Sequence, residues 1–348
     1  MATYEKLSWE TIELPVVTGD TYFIVYDHSS STPGDDQTGI IYSGLVLDGY
    51  SIIGIDEILS QYVYPQDVSF TASGHVQVDS TMYKTFYVYY TNDDWDTYTY
   101  DTITITYDWS YSTAAKSTLS DPINNLIDSR QIFMWSKKPS TPDISTTITV
   151  NVDGIQQDQF TITGYNTYNY ITPLTGFLFA GEFTYAYSYD FFVDSSTPTG
   201  EFSKITIGGM TYYVTLTCNR YCLYYLNQIG GWDSLLFNGR ELQTDKLSRL
   251  SYKKNYRAMT TDFHKVDYLT TISEAWSLNT SYLDDTQSSK MINVLASNRI
   301  YLHDLEQNII IPVNIVNSSC EHKTYKNQGR KMAVYTLEVE ASQEKYRV

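Results

Sequence analysis

The sequence is poor in cysteine, in long apolar runs and, over its first 200 residues, in positive charge. Cysteine occurs only at Cys218, Cys222 and Cys320. So small and odd a number fits free thiols in a reducing compartment rather than a disulfide framework. Cys218 and Cys222 resemble half of a metal site, but the spacing is CxxxC and no second pair follows; on a strand the two would share a face as small core residues. No run of 18 apolar residues provides a membrane span, and MATYEKLSWETIELP lacks the basic start and apolar stretch of a secretory signal. The phosphate-cradling GxxxxGK[ST] and GxGxxG loops are missing, as are HExxH and GxSxG. The five histidines, His28, His75, His264, His303 and His322, are far apart, and none adjoins a serine or cysteine in a nucleophile motif. Residues distant in sequence can still meet in space, but no catalytic or metal-binding residue and no cofactor is indicated, and the expectation is a protein without enzymatic activity.

Charge is unevenly spread. Residues 1–200 hold 25 Asp and Glu against 6 Lys and Arg, whereas residues 201–348 hold 15 against 17, which together give the net charge of -17. The acid therefore belongs to the N-terminal part. Solubility alone would account for it; a sharper reading is a wall that repels the phosphates of DNA.

What is abundant is tyrosine, 34 residues of 348, together with Thr and Ser. Tyr, Thr, Val and Ile favour strands, while the exposed-helix formers Ala, Glu and Lys are scarce, so a mainly β fold is expected. Alternating segments recur: TYFIVYD (21–27), IIYSGLVL (40–47), YSIIGI (50–55), FYVYY (86–90) and the Tyr/Ile/Thr run ending at residue 112. EILSQYVY (57–64) reads as one helical turn, and SDPINNLIDS (120–129) as a short helix capped by Asp121 with Pro122 in its first turn. Asp153-Gly154 and Gly208-Gly209 sit between alternating runs as hairpin turns. SKKPSTPD (136–143), with two prolines, is the best linker. Three regions are expected: a β-rich N-terminal domain (1–138), a second β-sandwich-like domain (139–214), and a C-terminal α+β module (215–348), a sandwich or barrel with one flanking helix near 284–297. That helix takes Asp284 or Asp285 as cap and presents Met291, Ile292, Val294 and Leu295 as its apolar face. Pro312 suits an edge or a bulge, and residues 320–342 read as a hairpin turning at Gly329.

Several clusters could carry a site. NDDWD, with Asp93, Asp94 and Asp96, could be a calcium site or a glycosidase carboxylate pair, but it lacks the alternate ligands and distal Glu of a calcium loop; a solvated loop explains it, as it does Asp35 and Asp36. The tyrosines would suit stacking on sugars, but equally strands and protein interfaces. The basic run KLSRLSYKKNYR (246–257) could meet nucleic acid, the acidic part of a neighbouring subunit, or nothing, as a lysine-guarded strand edge; the neighbouring subunit is favoured. In CLYYLNQIGGWDSLLFNG (222–239) apolar residues fall on both faces of a strand, which must then be covered twice, by its own core and by the helix or a neighbouring subunit. Asp233 reads as a turn-stabilising carboxylate. Tyr224, Tyr225, Trp232 and Phe237, with Lys253, Lys254 and Arg257, are the candidate interface residues.

LYYLNQIGGWDSLLFNG (223–239), DDTQSSKMINVLASNRIYL (284–302) and IIPVNIVNSSCEHKTYKNQGRKMAVYTLEVEAS (310–342) together resemble the C-terminal region of virion proteins of tailed phages of Bacteroidetes, including crAss-like phages. The resemblance covers roughly residues 215–345; residues 1–200 resemble no family. It implies a structural component of the neck or tail that forms a homo-oligomeric ring beside other virion proteins, assembled in the host cytoplasm without a membrane, with DNA passing through unbound and the acidic wall suiting such a channel. It also implies likeness to the tail-tube and distal-tail building block, and it transfers no catalytic residue. A carbohydrate-binding or adhesin module at the tail, and a glycan-degrading tail enzyme, are the alternatives.

Overall fold

Tyr, Val and Ile alternating with Thr and Asp before residue 216 fold as strands. The structure, a computed structural model, describes residues 220–254, 265–317, 333–343 and 345–347 and, before residue 220, the strands given below with residues 59, 62–65, 70, 81, 119–125, 154 and 208–209. The fold is mainly β. One five-stranded sheet runs in the order Ala2–Leu7, Asp101–Asp108, Tyr83–Thr91, Thr21–Tyr26, Ile40–Gly44, its first pair parallel and the rest antiparallel. Ile12–Pro15, Tyr50–Ile53 and Val46–Leu47 make a small sheet. Within the helical turn expected at 57–64, the Val63 N–H donates to the Leu59 carbonyl at 3.1 Å, the bond such a turn requires; residues 57, 58, 60 and 61 lie outside the described residues.

A second five-stranded sheet has the order Leu126–Asp128, Met210–Thr215, Ser203–Ile207, Thr146–Val152, Ile155–Ile162. Both expected hairpins are in it. Gly154 has φ +88°, and Gly208 and Gly209 have φ +54° and +86°, the left-handed region that glycine enters without a Cβ clash. Trp135 packs over Gly208, where a side chain would collide with the indole. A three-stranded sheet joins Trp135–Lys137, Tyr168–Ile171 and Val76–Asp79. Strands Leu126–Asp128 and Trp135–Lys137 thus precede residue 139 yet pair with strands beyond it, across the boundary expected there.

Residues 119–125 are not helical. Their backbone groups are engaged elsewhere: the Leu119 carbonyl accepts from the Asn227 side chain, the Asp121 N–H donates to Asp233, and the Asn125 carbonyl accepts from the Tyr213 N–H. In a helix the Asn125 carbonyl would accept from the N–H four residues on; here it accepts from Tyr213, and residues 126–128 pair as a strand.

The C-terminal sheet has the order Trp232–Leu236, Tyr221–Leu226, Ile300–Asp304, Ile309–Ile315, Thr336–Ala341, Lys265–Asn279, Glu241–Lys253, with Lys345–Arg347 also paired to Lys265–Asn279. Ile309–Ile315 changes partner along its length. Residues 309–312 pair with Ile300–Asp304, and residues 313–315 with Thr336–Ala341. Pro312, unable to donate to a ladder, sits where the strand leaves one half of the sheet for the other. Both halves contribute to one core, with Leu223, Tyr225, Leu235 and Phe237 from one side and Trp276, Leu278, Leu337 and Val339 from the other.

The expected helix closes this core as two short pieces, Asp285–Ser289 and Met291–Leu295. Asp284 is the cap, accepting from the Gln287 N–H at 2.7 Å while Gln287 Oε1 accepts from the Asp284 N–H at 3.0 Å, a reciprocal box worth about 1 kcal/mol. Met291 and Val294 are buried in the core, but Ile292 is exposed and Asn293 buried, so the inward face is rotated from the expected one. No helix among the described residues is long and apolar enough to cross a membrane.

Candidate functional site

Strand Tyr221–Leu226 is buried at every position and alternates between two cores. Tyr221, Leu223 and Tyr225 point into the core shared with the helices. Cys222, Tyr224 and Leu226 point into a second core, with Trp232, Leu236, Leu305 and Leu119, against which Phe70 packs. The second cover is thus the chain's own residues Leu119 and Phe70. The helix lies on the other side, so neither of the two expected covers applies. Tyr224 keeps its hydroxyl satisfied in this core at 2.9 Å from His303 Nδ1, while His303 Nε2 lies 3.1 Å from Asn308 Oδ1. Cys222 is a buried thiol outside any disulfide, and its pKa is raised by that burial.

The turn after this strand holds the densest polar cluster. Asn227 Oδ1 accepts from the N–H groups of Ile229 and Gly231, both at 2.9 Å, which folds residues 227–231 into an Asx-type turn. Gly230 has φ +94°. The other end of the same amide reaches outward: Asn227 Nδ2 donates to the Leu119 carbonyl at 2.8 Å and to Asp233 Oδ2 at 2.6 Å. Asp233 Oδ2 also accepts from the Asp121 N–H at 3.0 Å. Gly231 lies against Leu119 so closely that any Cβ would run into its carbonyl. The Trp232 N–H donates to Ser136 Oγ at 2.8 Å, and Ser120 Oγ accepts from the Ser136 N–H at 2.7 Å. From outside, Lys290 Nζ meets Asp121 Oδ1 at 2.6 Å and the Pro122 carbonyl at 3.2 Å.

NQIGGWD is therefore a latch: the turn receives Leu119, Asp121 and Ser136 from the middle of the chain and fixes them to the C-terminal module. Burial pushes the Asp233 carboxyl up to about 7, against the opposing pull of its Asn227 and Asp121 donors. At 2 % exposure, with its partners all protein groups, this carboxylate is closed to a substrate and acts on the backbone it holds. The expected turn-stabilising role stands, except that its backbone partner lies 112 residues away. Asn227 was not among the expected residues, although an Asn four residues before a glycine in a GG turn signals such a turn. Leu119, Ser120, Ser136 and Lys290 left no local signal.

Tyr224, Tyr225, Trp232 and Phe237, expected at a subunit interface, have no exposed surface; they are interior residues, placed there by the two-sided cover of their strands. The basic run falls on a different element. Glu241–Lys253 and Lys265–Asn279 form a long antiparallel ribbon at the end of the sheet. Lys253 and Lys254 are exposed near its tip; Arg257 lies outside the described residues. Lys246 pairs with Glu340 at 2.8 Å and Arg249 with Asp267 at 3.8 Å. A cavity of about 410 Å³ opens at the base of the ribbon, beside Gln243, Glu274, Trp276, Asp304 and Ile311.

The carboxylates Asp35, Asp36, Asp93, Asp94 and Asp96, the residues Cys218, Cys320, His28, His75, His264 and His322, and the turn at Gly329 lie outside the described residues. Among the described residues no group of three His, Cys, Asp or Glu could hold a metal ion. No protein-family model matches the chain, and comparisons with curated proteins and with solved structures return no match either.

Proposed function

We propose that this chain is a structural protein of a tailed phage virion, one subunit of a homo-oligomeric ring in the neck or tail, acting by assembly and without turnover. The observation that carries the reading is the ribbon: a long edge element that leaves large apolar side chains uncovered, as a subunit built to be covered by others would. The resemblance of residues 215–345 to phage virion proteins supports it. So does the curled C-terminal sheet with its short helices, which suits a sandwich with one flanking helix of the tail-tube type. The acidic first 200 residues, with 25 Asp and Glu against 6 Lys and Arg, would face solvent or a channel through which DNA slides unbound. Electron microscopy and light scattering of the purified protein, alone and with neighbouring neck or tail proteins, test this: rings are expected, and a monomer at high concentration with no ring in any mixture would overturn it.

The cavity at the ribbon's base favours a second reading, a carbohydrate-binding module at the tail. Its amides and carboxylates could bond sugar hydroxyls. Trp276, only 3 % exposed, offers little ring face for stacking, which ranks this reading below assembly. A glycan array decides it, since the absence of any bound glycan would remove it.

A further inference from the structure

The outer half of the ribbon has no cover within the described residues. Strand Lys265–Asn279 is flanked by Thr336–Ala341 only at residues 275–279 and by Lys345–Arg347 only at 270–272. From residue 265 to 269 its single partner is Glu241–Lys253, itself the last strand of the sheet. A two-stranded ribbon standing alone is marginal in water, and this one exposes Leu247 (57 %), Leu250 (49 %), Tyr252 (48 %) and Tyr268 (62 %). Tyr252 and Tyr268 contact each other, with ring centroids 6.1 Å apart. Leu247 lies opposite Ile272, which shares a strand face with Trp276 and Leu278 of the core, so on that face apolar surface runs outward past the core; Leu250 and Tyr252, at the other phase of their strand, lie on the opposite face. Toward the tip the charge is mainly positive: residues 247–269 hold Arg249, Lys253, Lys254, Arg257 and Lys265 against Asp262 and Asp267, and Arg249 is already paired with Asp267.

On the footing of the assembly reading above, we infer that the ribbon is an arm covered by a second copy of this chain, and that the covering surface belongs to the acidic residues 1–200 of that copy. Charge selects this occupant. The arm's outer half carries +3 over residues 247–269, while residues 1–200 carry -19 and the rest of the chain is close to neutral. Opposite patches steer encounter and fix register, and the exposed apolar side chains on the ribbon's two faces supply the buried area. An arm of +3 neutralises a fraction of -19, so most of the acid stays available to solvent or a channel.

The test uses the full chain. Sedimentation velocity compares wild type with L247S/Y268S and with K253E/K254E/K265E; all five sites are exposed, so the fold should survive. Wild type is expected to self-associate, more weakly at 1 M salt, and each variant at least about tenfold more weakly. Wild type assembling with both variants indistinguishable from it overturns the arm and leaves the assembly reading standing; a wild type that never assembles overturns both. A fluorescent single-stranded oligonucleotide bound by wild type and lost in the charge-reversed variant, with self-association unchanged, overturns the inference in favour of nucleic acid. Should a variant misfold, carbodiimide coupling in a mixture of isotopically light and heavy wild type gives the answer. Mixed-isotope peptides joining Lys253, Lys254 or Lys265 to carboxylates of residues 1–200 are expected, and their absence would overturn the arm.

Discussion

The Asp233 latch makes stability depend on pH in a direction opposite to that of an ordinary salt-bridged carboxylate. The folded carboxyl titrates at about 7 because burial disfavours its charge, against 3.8 for the same group in water. Below about pH 4 both states hold the proton and the folded state has its full stability. As pH rises, the unfolded chain releases its proton first, so stability falls until the folded carboxyl also ionises and is flat above that. At about 1.4 kcal/mol for each tenfold change in proton affinity, the difference between the two states comes to about 4 kcal/mol, of which roughly 2–3 kcal/mol falls between pH 5 and pH 8. Other carboxylates oppose this slope, among them Glu340, whose pKa is lowered by its Lys246 and Ser273 partners; a difference between two proteins is therefore the quantity to measure. Asp233→Asn keeps an acceptor for the Asp121 N–H and the Asn227 amide but cannot ionise. In urea unfolding followed by tryptophan fluorescence, wild type should lose roughly 2–3 kcal/mol relative to Asp233→Asn between pH 5 and pH 8. Asp233→Ala leaves the partly buried Asp121 N–H and one N–H of the Asn227 amide without an acceptor, the amide keeping only the Leu119 carbonyl, and should be less stable than wild type at pH 5 by roughly 1–4 kcal/mol. Parallel pH profiles for wild type and Asp233→Asn, or an Asp233→Ala protein as stable as wild type at pH 5, would refute the account of the latch.

Three further outcomes follow from the same geometry. Ser136→Ala removes the acceptor of the Trp232 N–H and should cost about 1–3 kcal/mol in the same unfolding assay. Lys290→Met breaks a partly exposed ion pair and should cost no more than about 1 kcal/mol, which separates the latch's buried bonds from its outer one. Cys222, buried with a raised pKa, should resist alkylation in the folded protein and react on unfolding, read by mass spectrometry of the peptide that contains it.

Legibility in the sequence tracked how local each cause was. Asp153-Gly154, Gly208-Gly209 and the Asp284 cap act within a few residues, and each is where its pattern placed it. The two-sided burial of Tyr221–Leu226 was also readable, because apolar residues at both phases of a strand demand two covers. What covers it was not: Leu119 and Phe70 lie more than 100 residues earlier in the chain and carry no mark of their destination. The helix expected at 120–129 failed for the same reason. Asp121 and Pro122 are sound helix starters, but their backbone groups are claimed by Asp233 and Lys290. Tyr224, Tyr225, Trp232 and Phe237 were misplaced because aromatic, uncharged strands look alike whether they face a neighbour or a core. The ribbon's exposed surface mixes Leu and Tyr with Lys and Arg, a pattern that reads as a guarded edge until its outer half is seen to pair with no third strand among the described residues.

The latch also sets an order of events during synthesis. The Asp121 N–H waits for a carboxylate 112 residues downstream, and the Asp121 side chain for Lys290 later still. At the ribosome's pace of about 5–20 residues per second, the receiving turn emerges roughly 6–20 s after the segment it is to hold. Throughout that interval Leu119 has no module to enter. The middle of the chain is made early and finished late, so whatever shields it in the meantime governs how much of the protein reaches its folded form.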